Sequence, residues 1–256
     1  MARKIVVTSG KGGVGKTTAA LCLAAQLSKK GQRVILCDAD FGLNNVDVAA
    51  GVEYLITYDI VDVIEGKCRA KQALIRHPKY MNLHVLASSH SAPERYVSPQ
   101  SFKVVLEGLA PQFDFIFIDC PTGIEEGFHR AVATADEAIV VTTPQVASIR
   151  DADKVITLLK SYHLQSVSLL VNMVKGEMLA AGEGVSPQEI AELLKVPLLG
   201  VIPEDYLLSS GELSEIHTSF RMAAANLLTG KSKLYDPTKK YGGLFGNIRR
   251  VLKRKL

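Results

Sequence analysis

Residues 3–18 read Arg3-Lys4-Ile5-Val6-Val7-Thr8-Ser9-Gly10-Lys11-Gly12-Gly13-Val14-Gly15-Lys16-Thr17-Thr18. Lys4–Ser9 is an apolar, β-branched run, the signature of a buried strand. Thr17–Lys30 carries helical apolar spacing and stops before Gly31. Between them, Gly10 to Thr17 satisfies G-x-x-x-x-G-K-[ST], in the strand–loop–helix setting that gives the pattern its meaning. Gly10, Gly12, Gly13 and Gly15 let the backbone wrap a phosphate group, with Val14 among them, and the N–H groups of the loop and helix start supply positive potential. Lys16 is placed for β- and γ-phosphates, and the Thr17 hydroxyl for Mg²⁺. Thr18 lies one residue on, toward the α-phosphate.

Further apolar runs recur along the chain: Arg33–Asp38, Leu83–Ala87, Phe115–Asp119, Ala138–Thr143, Ser168–Asn172 and Leu198–Ile202. Most are continuous rather than alternating, as in parallel strands buried on both faces. Helix-like stretches at Pro99–Ala110, Ile149–Tyr162 and Pro187–Lys195 lie between them. The expected fold is α/β: a doubly wound, mostly parallel sheet flanked by helices, the P-loop NTPase arrangement, with a C-terminal amphipathic helix. The expected organisation is a P-loop domain over 1–228, a linker over 229–243 rich in Gly, Lys and turn residues, and a terminal helix over 244–256.

Two carboxylate sites accompany the loop. Phe115–Asp119 is an apolar strand ending in Asp, so Asp119 is placed to hold the metal ion through water. Pro121 and Gly123 follow, and a glycine there can turn its backbone toward a γ-phosphate, as a switch loop does. Asp38 and Asp40 end the strand before, and alternation would put them on one face. Asp40 suits the attacking water and Asp38 the metal shell. Plain turn chemistry at a strand end explains the same residues.

The chain has 256 residues, 22% charged and 47% hydrophobic, ordinary for a globular protein. No apolar run reaches about 18 residues, so no helical span is expected. The opening residues read as a first strand rather than a secretion signal. Cys22, Cys37, Cys68 and Cys120 show no C-x-x-C spacing and read as free thiols in a reducing compartment. The net charge of +4 hides an asymmetry, because residues 231–256 hold nine Lys or Arg and one acid. The remaining 21 bases and 25 acids leave the body at about −4 against a tail of about +8. Within the tail, Leu244, Phe245, Ile248, Val251, Leu252 and Leu256 form one helical stripe, and Arg249, Arg250, Lys253 and Arg254 take most of the remaining surface. That is the composition of an interfacial membrane helix. A basic helix packed on the body, or one binding nucleic acid, is the alternative.

The segments VVTSGKGGVGKTT, DADFGLNNVD, YDIVDVIEGK, QALI, FIFIDCPTGIE, ADEAIVVTTPQVASIRDADKVI and GVIPED cover most of the chain. In them the sequence resembles the MinD/ParA class of deviant Walker ATPases, and within it the septum-site-determining MinD group. The resemblance implies a slow, partner-stimulated ATPase using ATP and Mg²⁺. ATP would drive homodimerisation and attachment to the inner membrane, recruiting a MinC-like division inhibitor, with a MinE-like or other activator triggering hydrolysis. It implies that Lys11 reaches the partner subunit's phosphates in trans, that Asp40 serves the hydrolytic water, and that Asp119, Pro121 and Gly123 form the second switch. It sets Asn172 and the loop Pro203, Glu204, Asp205 at the adenine. Asn172 could equally be a plain turn residue. Ser148, Arg150, Asp151 and Asp153 look like the family's partner-facing helix, or a solvated helix start. Such a protein would be cytoplasmic and peripheral on the membrane's cytoplasmic face, with no nucleic acid expected. The alternatives are a ParA-like ATPase positioning DNA or other cargo, and a flagellar-number regulator. Two segments depart from the pattern: Glu177–Val185, and Ser209–Leu213, which lacks the usual proline.

Overall fold

A computed structural model describes residues 1–41, 45–89, 97–204 and 214–241, with side chains of the last stretch from 218 onward. Asp205 and every residue assigned to the membrane stripe (Leu244, Phe245, Ile248, Arg249, Val251, Leu252, Lys253, Leu256) lie outside the described residues, as does Ser209–Leu213.

The strands are β1 (Arg3–Thr8), β2 (Val34–Asp38), β3 (Leu74–Arg76), β4 (Leu83–Leu86), β5 (Phe115–Asp119), β6 (Glu137–Thr142), β7 (Ser166–Val174) and β8 (Leu198–Pro203). They form one sheet in the order β3-β4-β2-β5-β1-β6-β7-β8. All neighbours pair in parallel except β3 and β4. The seven runs expected as strands correspond to β1, β2 and β4 through β8. Strand β3 is the addition: three residues are too few to show a period, and its antiparallel pairing to β4 defines it.

The helices are α1 (Lys16–Lys29), α2 (Val46–Ala50), α3 (Ile60–Ile64), α4 (Pro99–Leu109), α5 (Glu126–Val132), α6 (Val146–Leu159), α7 (Gly176–Ala180), α8 (Pro187–Leu194) and α9 (Ser214–Thr229). Local chemistry explains several boundaries. Ser98 and Ser186 accept N–H bonds from the first turns of α4 and α8, each followed by Pro at the first helical position. Asp59 and Asp62 make a capping box at α3. Both sheet faces are covered. Phe102, Leu106, Val155 and Leu159 join Ile116, Ile118 and Val140 on one face. Leu23, Leu27, Phe220 and Ala224 join Ile5, Leu36 and Phe117 on the other. Burial on both faces is why these strands read as continuous apolar runs. Helix α9 crosses β8 closely: a Cβ on Gly200 would sit 2.8 Å from that of Ala223.

Within the expected linker, residues 229–241 are described, and they meet the body at several points. Asn226 Nδ2 donates to the Lys233 carbonyl at 2.9 Å, and the Lys233 N–H donates back to Asn226 Oδ1 at 3.1 Å. Pro237 lies against Gly176, and Tyr241 is buried. Chain order reverses across the sheet at β1, which sits between β5 and β6. Ligands of such sheets bind beyond the carboxyl ends of the strands at this reversal, and the glycine loop leaves β1 there.

Candidate functional site

The loop conformation follows from its glycines. Gly13 and Gly15 have φ of 78° and 84°, a region where a side chain is strained. Gly10 packs so closely on α6 that a Cβ would overlap the Asp151 carbonyl oxygen. Gly15 lies so close to Asn172 that a Cβ would overlap its amide nitrogen. The Asn172 side chain donates to the Val14 carbonyl at 2.9 Å and is itself buried. It therefore braces the loop from β7, a role that its position at a strand end did not reveal.

Beneath the loop, Lys16 Nζ donates to Asp119 Oδ1 at 2.9 Å, and Thr17 Oγ1 donates to Asp119 Oδ2 at 2.6 Å. Asp119 is 1% exposed. Burial raises its carboxyl above the ordinary range, while the Lys16 ammonium and the Thr17 hydroxyl oppose that shift. The loop, Lys16, Thr17, Thr18 and Asp40 line a cleft of about 570 Å³. Lys11 is exposed at its mouth. Pro121 is half-buried, and Gly123 has φ of 93°, so the turn after β5 depends on glycine.

Asp38 and Asp40 differ in burial, and both carboxylates stand near enough to Asp119 for the charges to act on one another. The regular strand ends at Asp38. Asp38 is buried, and its two oxygens accept the N–H groups of Asp40 at 2.9 Å and Val46 at 3.3 Å. It ties Asp40 to the first residue of α2, whereas Asp40 lines the cleft. Burial pushes the Asp38 carboxyl up to about 7, with those N–H bonds acting the other way.

On α6, Arg150 and Asp153 are exposed, and Asp151 is half-buried with an ion pair to Lys154 at 3.1 Å. Ser148 is 3% exposed, which corrects its assignment to a partner surface: it belongs to the buried stripe of α6. Pro203 is buried at the end of β8, and Glu204 pairs with Lys175 at 3.6 Å. Glu204 lines a separate groove of about 260 Å³ with Pro144, Met173 and Met178. Met173 lines both this groove and the phosphate cleft, with φ of 55°. Asn45, Ala49 and Thr122 also line the cleft. None of these four carries a sequence signal, since methionine in a strand reads as core and the others as turn or helix residues.

Oxygen donors on one carboxylate and one hydroxyl beside a phosphate cradle suit a magnesium ion, which takes few protein ligands and uses substrate oxygens and water for the rest. Among the described residues no group of three or more His, Cys, Asp or Glu is arranged to hold a metal alone.

An AAA domain family matches residues 2–171. A MinD septum site-determining protein ascribed to Oltmannsiellopsis viridis is 48% identical over 204 residues, 79% of this chain and 65% of that one. The MinD of an Aquifex aeolicus MinC:MinD complex superposes with a TM-score of 0.82 at 37% identity, covering 91% of this chain and 97% of that one. A Pyrococcus horikoshii MinD complexed with Mg-ADP superposes at 0.79 with 28% identity, covering 91% and 100%. A Synechocystis MinD is also 44% identical over 80% of this chain and 77% of that one, and with the superposition on the Aquifex protein this shows that the chain belongs to the MinD family of septum site-determining proteins.

Proposed function

We propose that this protein is an ATP-driven switch that cycles on and off the cytoplasmic face of the cell membrane and helps place the division site. The observation that carries the reading is the buried Lys16–Asp119–Thr17 cluster beneath a glycine cradle. A loop of this shape takes phosphate oxygens on its N–H groups, and Lys16 adds a point charge at the β- and γ-positions. Thr17 and Asp119 would hold Mg²⁺, which when bound neutralises charge on the phosphates. Asp38 supports the turn that carries Asp40, and Asp40, facing the cleft, orients the attacking water. Gly123 gives the loop after Asp119 the freedom to respond to a γ-phosphate.

Lys11 acts across a homodimer. Its exposure at the cleft mouth lets it reach the nucleotide of a second copy, where buried phosphates favour cationic contacts. Arg150, Asp151 and Asp153 on α6 offer a charged surface to an inhibitor such as MinC and to an activator. Because Gly10 rests on that helix, a partner there acts directly on the start of the loop. The base end of the nucleotide falls in this reading to the chain after β8, where Glu204 lines the groove that meets the phosphate cleft at Met173, while Asn172 braces the loop. Residues 244–256 attach the dimer to anionic lipid, each base contributing up to about 1 kcal/mol. A single short helix binds weakly, and pairing two tails adds avidity of roughly 10²–10⁴. Membrane attachment thereby follows the nucleotide.

The test is co-sedimentation with anionic liposomes in Mg-ATP and in Mg-ADP, alongside a chain truncated before Gly243. The expected result is a large ATP-dependent rise in the pelleted fraction that truncation abolishes. Equal pelleting in both nucleotides would show that the cleft and the tail are uncoupled.

A further inference from the structure

A groove of about 720 Å³ lies away from the phosphate cleft, between the α7–α8 connection, β8 and the strap at 234–238. Leu179, Val201 and Leu234 give it apolar walls, and Glu183, Glu189 and Asp236 line it as acids. No Lys or Arg is among the described residues that line it. Its size suits a few side chains rather than a metabolite with many charges. A small anion is a poor occupant, because Ser186 and Glu189 already cap the α8 N-terminus.

The chain itself points to the occupant. The strap forms one wall, and its course is fixed at two places. Asn226 brackets the backbone of Lys233 with two hydrogen bonds. Further on, the Pro237 carbonyl and the Tyr241 ring pack on Gly176, where a Cβ would overlap the carbonyl oxygen. Tyr241 is 4% exposed. The chain is thus held beside the groove at residue 241, and 242–256 continue from there. As a helix, residues 244–256 would be about 20 Å long. Their apolar stripe matches the groove's apolar walls, and their flanking Arg and Lys residues match its acids.

We propose that residues 244–256 dock in this groove of their own chain, stripe inward and bases on the acidic rim. Docking covers the same stripe that a lipid surface would take, so groove and membrane compete for one face. Membrane binding becomes a displacement, and a tail held by its own body is withheld from lipid. The inference rests on the reading of the tail as an amphipathic helix and adds where that helix resides away from the membrane.

The test is amide hydrogen exchange of the full-length protein, followed over residues 183–189 and 234–238 at low salt. One variant reverses the tail charge (Arg249→Glu, Arg250→Glu, Lys253→Glu, Arg254→Glu), and a second breaks the stripe (Ile248→Ser, Leu252→Ser). Both are expected to exchange several-fold faster than wild type at the groove and at the wild-type rate in the core strands. Adding Glu183→Lys to the reversed tail, which leaves the Ser186–Glu189 cap intact, is expected to restore part of the protection, since only a direct charge pairing responds to a swap. Anionic vesicles of phosphatidylglycerol and phosphatidylcholine should expose the groove of the wild type. Equal groove exchange in wild type and both tail variants overturns the docking. Sedimentation of the same samples judges the membrane reading separately. Pelleting without groove protection leaves the membrane role and removes the docking. Groove protection without pelleting does the reverse.

Discussion

Two edges of the molecule are each built on a glycine pressed against a backbone carbonyl. At the phosphate edge, Gly10 meets Asp151; at the groove edge, Gly176 meets Pro237. The surroundings differ. Around Gly10 the structure is a polar network, with Lys16, Thr17 and Asp119 bonded to one another and Asn172 bonded to the loop. Around Gly176 it is mainly packing, with a buried tyrosine and a strap held by Asn226. The first edge holds charge in place for chemistry, and the second holds a chain in place. Disturbing the first should change activity more than stability, and disturbing the second should do the opposite.

The largest expected effect separates the edges by chemistry. Lys16→Ala removes the cation that meets both Asp119 and the phosphates. Hydrolysis is expected to fall by at least about 100-fold, the scale of losing one preorganised electrostatic contact. Stability should change less than the about 3–5 kcal/mol typical of a broken buried pair, because Asp119, already raised by burial, can take up a proton. Phosphate release and urea unfolding measure the two quantities. A variant that hydrolyses ATP within a few-fold of wild type would remove Lys16 from the chemistry.

The next effect sets the two glycines against each other. Gly10→Ala and Gly176→Ala both force a backbone apart, at a cost of about 1–3 kcal/mol each. Gly10→Ala should also weaken nucleotide binding about tenfold, equal to about 1.4 kcal/mol, because the loop must leave α6. Gly176→Ala should leave nucleotide affinity unchanged and speed amide exchange over 234–241. Titration with a fluorescent ATP analogue reads the affinity. If Gly176→Ala weakens it as much as Gly10→Ala does, the two edges are one mechanical unit and the contrast between them fails.

The same contrast explains what the sequence disclosed. The loop, Asp119 and most of the sheet were legible because their residue types are dictated locally: glycines by left-handed backbone, a carboxylate by a cation, continuous apolar runs by burial on both faces. The division of work between Asp38 and Asp40 was not legible, because it depends on where the regular strand stops: Asp38 accepts the N–H groups of Asp40 and Val46, and Asp40 lines the cleft. Resemblance sets Ser148 on a partner-facing helix, as part of one segment with Arg150, Asp151 and Asp153, but helical phase places it inward with Ile149 and Ala152. The groove edge was illegible. Its residues are ordinary in type, and what joins Gly176 to Pro237 is a contact across sixty-one positions of chain that no local pattern encodes.

The smallest effect is a pH dependence confined to the phosphate edge. Asp38 stands opposite Asp119 in the β2–β5 register, and burial pushes its carboxyl up to about 7. An unfolded aspartate titrates near about 3.9, so between about pH 4 and 7 the folded chain binds more protons than the unfolded one. Its contribution to stability is therefore greatest in acid and falls as pH rises through that window, by at most about 1.4 kcal/mol per pH unit. At the groove edge, bonds from Ser186 to Glu189 and from Thr238 to Asp236 lower those carboxyls. Their small contributions have the opposite sign, being present at neutral pH and lost in acid below the Asp38 window. Urea unfolding midpoints between about pH 5 and 8 isolate the term when wild type is compared with Asp38→Asn. The variant should be less stable throughout, because one backbone N–H loses its acceptor, and its stability should lose the downward slope. An identical slope in both proteins would mean that Asp38 is ionised across the whole range, and that its two N–H bonds outweigh its burial.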